Sequence, residues 1–116
     1  MHLADLVEGE TEVIADQLHI RPAPGHTPGS VTIDLHSQGK SALFTGDICH
    51  HPLQVYFPDW NSAYCELPTQ ARETRHRILA ESEAAGKLLM PAHFGASFCG
   101  YVRADDSGFS FDFSHN

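Results

Sequence analysis

A chain of 116 residues holds one domain at most, and 41% hydrophobic against 19% charged residues is the balance of a soluble globular protein. Seven scattered Lys and Arg and a net charge of −8 exclude a surface built to neutralise nucleic-acid phosphates or anionic lipid headgroups. No apolar run reaches the ~20 residues of a membrane span, "MHLADLVEGETEVIA" lacks the basic start of a signal peptide, and three cysteines without a C-x-x-C pair fit a reduced, cytoplasmic setting better than a disulfide framework.

"TEVIA" (11–15) and "LHIRPA" (18–23) read as two short strands around Asp16-Gln17. "SVTIDLH" (30–36) alternates Val31, Ile33 and Leu35 with Thr32, Asp34 and His36, the period of a half-buried strand. "SQGK" (37–40) is a turn, and "SALFTGD" (41–47) returns as the second arm of an antiparallel hairpin. Residues 48–67 have no clean period, are rich in aromatics and prolines, and read as a long loop of the kind that is usually functional. The stretch 68–86 is the one clear helix: Pro68 suits its first turn, Ala71, Ile78 and Leu79 give an apolar face, and Gly86 suits its end. On that helix Arg72, Arg75, His76 and Arg77 read as a solvated face balanced by Glu73, Glu81 and Glu83. "KLLMPAH" (87–93) is a buried strand running into a loop, and "GYVRA" (100–104) with "FSFDF" (109–113) closes the chain as a hairpin around "DDSG". Strands, loop, helix, strands is an α+β order in which helix and sheet must form layers.

Three strand-to-loop junctions each deliver one side chain of metal-ligand type. His26 stands in "RPAPGHTPGS", where Gly25 frees the backbone and Pro28-Gly29 suit a type II turn, so the turn aims the imidazole. Asp47 ends "ALFTGD" at the rim of the core, and His93 ends "KLLMPAH" in the same way. Imidazole and carboxylate together suit zinc or a similar divalent ion, and the gaps of 21 and 46 residues require the fold to gather them. Each residue also has a plain reading: a turn histidine, a turn-capping aspartate, a core histidine with a satisfied hydrogen bond.

"GHTPGS" (25–30), "FTGD" (44–47) and "PAHF" (91–94), in that order, resemble the second half of the metallo-β-lactamase superfamily. "HHPLQVYFPDW" (50–60), "TQARETRHRIL" (69–79) and "GYVRADDSGFSFDF" (100–113) resemble its lactonase-like and methyl-parathion-hydrolase-like branch. The resemblance implies half of an αββα sandwich, a mostly antiparallel sheet with one main helix. It also implies a two-metal site, of zinc or other divalent ions, in which His26 binds the first ion, the catalytic Asp47 bridges both and His93 binds the second. In such a site the ions activate a water against a carbonyl or phosphoryl centre, which makes the expected function hydrolysis of lactone, ester or phosphotriester bonds.

The departure from the family pattern is the H-x-H-x-D-H motif, which this sequence lacks; His50-His51 are adjacent, the wrong spacing. Four donors of the full site are then missing. The chain reads as the C-terminal part of a longer enzyme, with the apolar face of its sheet left open. The expected partner is therefore a second copy, as a homodimer, or the missing N-terminal half, with a small-molecule substrate where the site is completed. The alternatives are a catalytically inactive metal-binding remnant and a sheet-mediated interaction module. His51 is expected near the site, with Tyr56, Phe57 and Trp60 as a hydrophobic substrate wall; the plain reading is a loop folding its aromatics onto the core. A Cys49 nucleophile paired with His50 lacks an orienting acid, and Cys65 and Cys99 read as small apolar fillers.

Overall fold

The computed structural model describes residues 9–14, 16–94 and 99–113. Seven strands form one sheet in chain order: β1 (Thr11–Ile14), β2 (Leu18–Pro22), β3 (Val31–Ser37), β4 (Lys40–Gly46), β5 (Leu88–Pro91), β6 (Gly100–Asp105) and β7 (Gly108–Asp112). Every neighbouring pair is antiparallel except β4 and β5, which run parallel. The parallel pair needs a crossover, and the chain supplies it with the main helix, α2 (Pro68–Ala85). The fold is thus α+β, a mostly antiparallel sheet with one main helix, as the sequence pattern requires.

The boundaries shift in small, explicable ways. Ser37 and Lys40 pair with each other, so the first hairpin turn shrinks to Gln38-Gly39. The 48–67 segment is not all loop: a single helical turn, α1 (Leu53–Tyr56), buries Gln54 and Val55. Gly86 stops α2 with a left-handed φ of 62°, and its N–H reaches back to the Ser82 and Glu83 carbonyls.

Helix α2 presents Ala71, Thr74, Arg75, Ile78, Leu79 and Ser82 to the sheet. Against them pack Leu43, Leu89, Val102 and Phe111 from the strands and Ile48, Cys49 and Val55 from the loop. Each fully buried Leu, Ile or Val contributes about 1.5–3 kcal/mol through lost water contact. Arg75 corrects the sequence reading of a solvated face: it is 1% exposed, at positions 71, 75, 78 and 82 of one helical stripe. Arg72 is half-buried, while His76 and Arg77 are exposed, His76 pairing with Asp59.

The other face of the sheet is equally apolar and has no layer over it among the described residues. Ile20, Ile33, Phe44 and Met90 are paired neighbours across four strands, and Leu35, Ala42, Leu88 and Tyr101 form the next row. Phe44 and Val31 are more than a third exposed, at 38% and 37%. No helix among the described residues is long and apolar enough to cross a membrane.

Candidate metal centre

The sheet topology decides which loops meet. Strand β3 runs against β4, so the start of β3 lies beside the end of β4; β5 runs with β4, so its end lies there too. His26 precedes β3, Asp47 follows β4 and His93 follows β5. All three junctions therefore open at one edge of the sheet.

His26 is held from several sides. A Cβ at Gly25 would stand 2.3 Å from the Ala71 Cα, and Gly25 has φ 149°, so only glycine lets α2 press on this turn. The N–H groups of Glu66 and Leu67 donate to the His26 and Gly25 carbonyls at 2.9 Å each, and the Thr74 hydroxyl donates to the Pro24 carbonyl. Within the turn, Ser30 Oγ accepts from the Thr27 N–H at 3.1 Å. The imidazole then points Nε2 at Asp47 Oδ2, 3.6 Å away, and Nδ1 at Cys65 Sγ, 3.8 Å away. Cys65 is thus more than an apolar filler.

Asp47 receives a second imidazole: His93 Nε2–H donates to Oδ1 at 2.6 Å. A third was not foreseen from the sequence. His50 lies with its ring 4.7 Å from His26 and stacked at 5.7 Å on His93. One donor atom from each of His26, Asp47 and His50 falls within 4.8 Å of the others. The turn after β4 brings residue i+3 back over Asp47, so the informative spacing was Asp-x-x-His, not the adjacent His50-His51 pair. Its neighbour His51 turns outward, exposed, and its Nδ1 accepts the Leu53 N–H at 3.1 Å.

The loop that carries His50 is pinned from behind. Gln54 Oε1 accepts the N–H groups of both His50 and His51, and Gln54 Nε2 donates to the Trp60 carbonyl at 2.8 Å. Arg75 donates to the carbonyls of Ile48 at 2.8 Å, Pro58 at 2.6 Å and Trp60 at 3.0 Å, and to Asn61 Oδ1 at 3.1 Å. A buried guanidinium spent on loop carbonyls fixes both ends of the excursion between Ile48 and Asn61.

Electrostatics favour a cation at this edge. Burial, and then the neighbouring His26, hold the His50 pKa below the ordinary imidazole value, Asp47 pulling the other way; His50 is thereby kept in the neutral form that ligates metals. Its Nδ1 is buried without a hydrogen-bond partner among the described residues, a defect worth about 1–3 kcal/mol unless something binds there. Two imidazole nitrogens and a carboxylate suit zinc, so the donor set fits the ion that the sequence resemblance implies.

Beside the centre lies a cleft of about 230 Å³ lined by His50, His51, Leu53, Gln54, Trp60, Asn61 and Ser62. Of the expected substrate wall, His51 and Trp60 line it. Phe57 stacks on Trp60 at 4.4 Å, and Tyr56 turns away to donate its hydroxyl to the Phe111 carbonyl at 3.5 Å.

The same fold is found in solved hydrolases. The chain superimposes with a TM-score of 0.82 on AidC, a dizinc quorum-quenching lactonase, at 19% identity, over 90% of this chain and 36% of that one. It matches the hydrolase AbOPH of the β-lactamase superfamily with a TM-score of 0.80 at 26% identity, over 87% and 35%. The fold is that of the metallo-β-lactamase superfamily. A probable metal-dependent hydrolase from Staphylococcus aureus shares it with a TM-score of 0.75 at 22% identity, over 97% and 41%. The chain therefore spans little more than a third of the length of these metallo-β-lactamase-fold enzymes. No protein-family model and no curated protein matches its sequence.

Proposed function

We propose that the protein is a metal-dependent hydrolase of lactone, ester or phosphotriester bonds, with Asp47 as the catalytic carboxylate and His26, Asp47 and His93 among its metal ligands. The observation that carries this reading is a single carboxylate ringed by three imidazoles, with no lysine or arginine paired to it among the described residues. Zinc held there would supply Lewis acidity toward a carbonyl or phosphoryl oxygen. The chain's own groups do the rest. Asp47 brings negative charge to the edge of the sheet, with His26 and His93 on either side of its carboxylate. The cleft beside His50, walled by Leu53 and Trp60, receives the apolar part of a substrate.

Solved relatives two to three times as long, together with the uncovered apolar sheet face, support a second element of the proposal. The face from Ile33 to Met90 is covered by another polypeptide, either a second copy of this chain or further polypeptide of the hydrolase fold, and full activity depends on it. Light scattering tests this: a stable dimer or complex is expected, and a well-behaved monomer that is fully active overturns it. The three free cysteines fit a cytoplasmic protein.

The activity test is direct. Zinc-loaded protein is expected to hydrolyse an acyl lactone, an aryl ester or an aryl phosphotriester, and Asp47→Ala is expected to abolish the turnover. Zinc-loaded protein that hydrolyses none of the three, with or without a partner, ends the hydrolase reading and leaves a metal-binding remnant.

A further inference from the structure

We propose that Gln54 and Arg75 are the positioning residues of the substrate cleft: together they fix its width and so select which apolar group enters. The inference rests on the hydrolase reading above and deepens it, by naming the residues that choose the substrate.

The cleft has two walls from different parts of the chain. His50 and His51, on the turn after β4, form the wall beside the metal centre; Trp60, Asn61 and Ser62 form the other. One amide spans them. Gln54, 6% exposed, accepts the backbone N–H groups of His50 and His51 on Oε1 and donates from Nε2 to the Trp60 carbonyl at 2.8 Å. That carbonyl takes a second bond, from Arg75 at 3.0 Å, and Arg75 also holds Pro58 and Asn61 of the same wall. Both lone pairs of the Trp60 oxygen are thus used, by donors from α1 and from α2. The walls cannot part without leaving buried N–H groups unpaired, and that cost keeps their separation fixed.

The backbone of Trp60 is tied twice, but its side chain is not. The residue is 56% exposed, and its ring stacks on Phe57. An aromatic ring on so fixed an anchor lies against a bound flat group without moving the wall. Ligand pockets commonly measure about 300–1,000 Å³, so a cleft of about 230 Å³ admits one group of a substrate and not the whole of it. For a group that fits, the contact is apolar and aromatic; for a wider one, the Gln54 amide is the stop.

The test reads binding instead of turnover. Trp60 is the chain's one tryptophan, so its indole N–H gives a single NMR signal at this wall. The probes are acetophenone and 2-acetonaphthone, aryl ketones without a hydrolysable bond. The wild type is expected to bind the smaller at least about 10-fold more tightly, the discrimination that one misfitting group produces in an apolar pocket. Gln54→Glu keeps an oxygen for the His50 and His51 N–H groups and loses the donor to Trp60, and it is expected to bring the two affinities within about 2-fold. Arg75→Lys, a point charge in place of a fork, should fall between them. His76→Ala removes the exposed His76–Asp59 bond of the same loop and should leave the ratio unchanged. Co²⁺, a spectroscopic stand-in for Zn²⁺, should bind Gln54→Glu within a few-fold of wild type, because the wall beside the metal centre stays held. Amide hydrogen exchange of the unmutated chain needs no variant to fold: the His50 N–H is expected to be protected at least about 100-fold. Equal affinity of the wild type for both ketones, binding of neither, a Gln54→Glu or Arg75→Lys chain that keeps the wild-type ratio, a His76→Ala chain that loses it, Co²⁺ binding lost in Gln54→Glu alone, or an unprotected His50 N–H would overturn the proposal. Ketone selection in a chain that takes no Co²⁺ and hydrolyses no ester sinks the hydrolase reading and sustains the assignment of Gln54 and Arg75.

Discussion

Two carboxylates on adjacent strands of this sheet have opposite surroundings. Asp34, in β3, is 3% exposed, and its charge is answered by the chain itself: Lys87 Nζ lies 2.5 Å away and Arg21 3.5 Å away, with Arg21 tied on to Glu81 of α2. Asp47, just past β4, has a side chain 40% exposed and meets only imidazoles. Permanent cations close the first cluster. The second holds no lysine or arginine among the described residues, so its compensation must come from outside. The difference teaches a rule for reading such clusters: a carboxylate whose partners are fixed charges builds the fold, and one gathered among several imidazoles awaits a ligand.

Exchanging the two losses should break that comparison most visibly. Asp34→Ala leaves Lys87 half-stranded at the sheet and is expected to cost about 3 kcal/mol, the low end for a broken buried pair because Arg21 can turn to water. Urea unfolding should show a lower midpoint with an unchanged slope, while Co²⁺ affinity stays within a few-fold. In metal-free protein, Asp47→Ala is expected to change stability by less than about 1 kcal/mol, since the carboxylate is itself 40% exposed and water can take its place, yet to abolish Co²⁺ binding. If both variants lose stability equally, the two clusters are alike and the rule fails.

Much of this was legible in the chain. Alternation in 30–36 and 41–46 predicts the central hairpin, and three junction residues converge because topology leaves their loops nowhere else to go. What escaped depended on local turns. Residues 48–67 carry no period because their order comes from Arg75 and Gln54 hydrogen bonds to carbonyls and N–H groups, which no side-chain pattern records. Arg75 was readable in principle: it falls on the same helical stripe as Ala71 and Ile78, and its charge hid the spacing. His50 escapes because the sequence shows it only as half of an adjacent His50-His51 pair, the wrong spacing for the family motif, whereas the turn after β4 brings it beside Asp47.

Cys65 offers a finer probe of the open cluster. If its sulfur accepts from the His26 Nδ1–H, it frees Nε2 for an ion. Cys65→Ala is then expected to weaken Co²⁺ binding about 10-fold, and Cys65→Ser, whose hydroxyl oxygen can also accept, to restore most of it. Equal affinity in all three proteins would return Cys65 to the role of a packing residue.

The smallest effect concerns Cys49, which adjoins His50 in the chain yet belongs to the closed side of the comparison. Its thiol is buried against Arg75, and burial outweighs that cation, pushing its pKa from 9.0 up to about 11. The unfolded thiol ionises as pH passes 9, while the folded one keeps its proton. Its contribution to stability is therefore full below pH 9 and is lost as pH rises toward 11, about 1 kcal/mol by pH 10. Urea unfolding of wild type and Cys49→Ala at pH 8 and pH 10 isolates this: the wild type should lose about that much more than the variant across the interval. Identical losses would mean that the thiol reaches water, and that the wall between the core and the imidazole cluster is more open than the Arg75 hydrogen bonds imply.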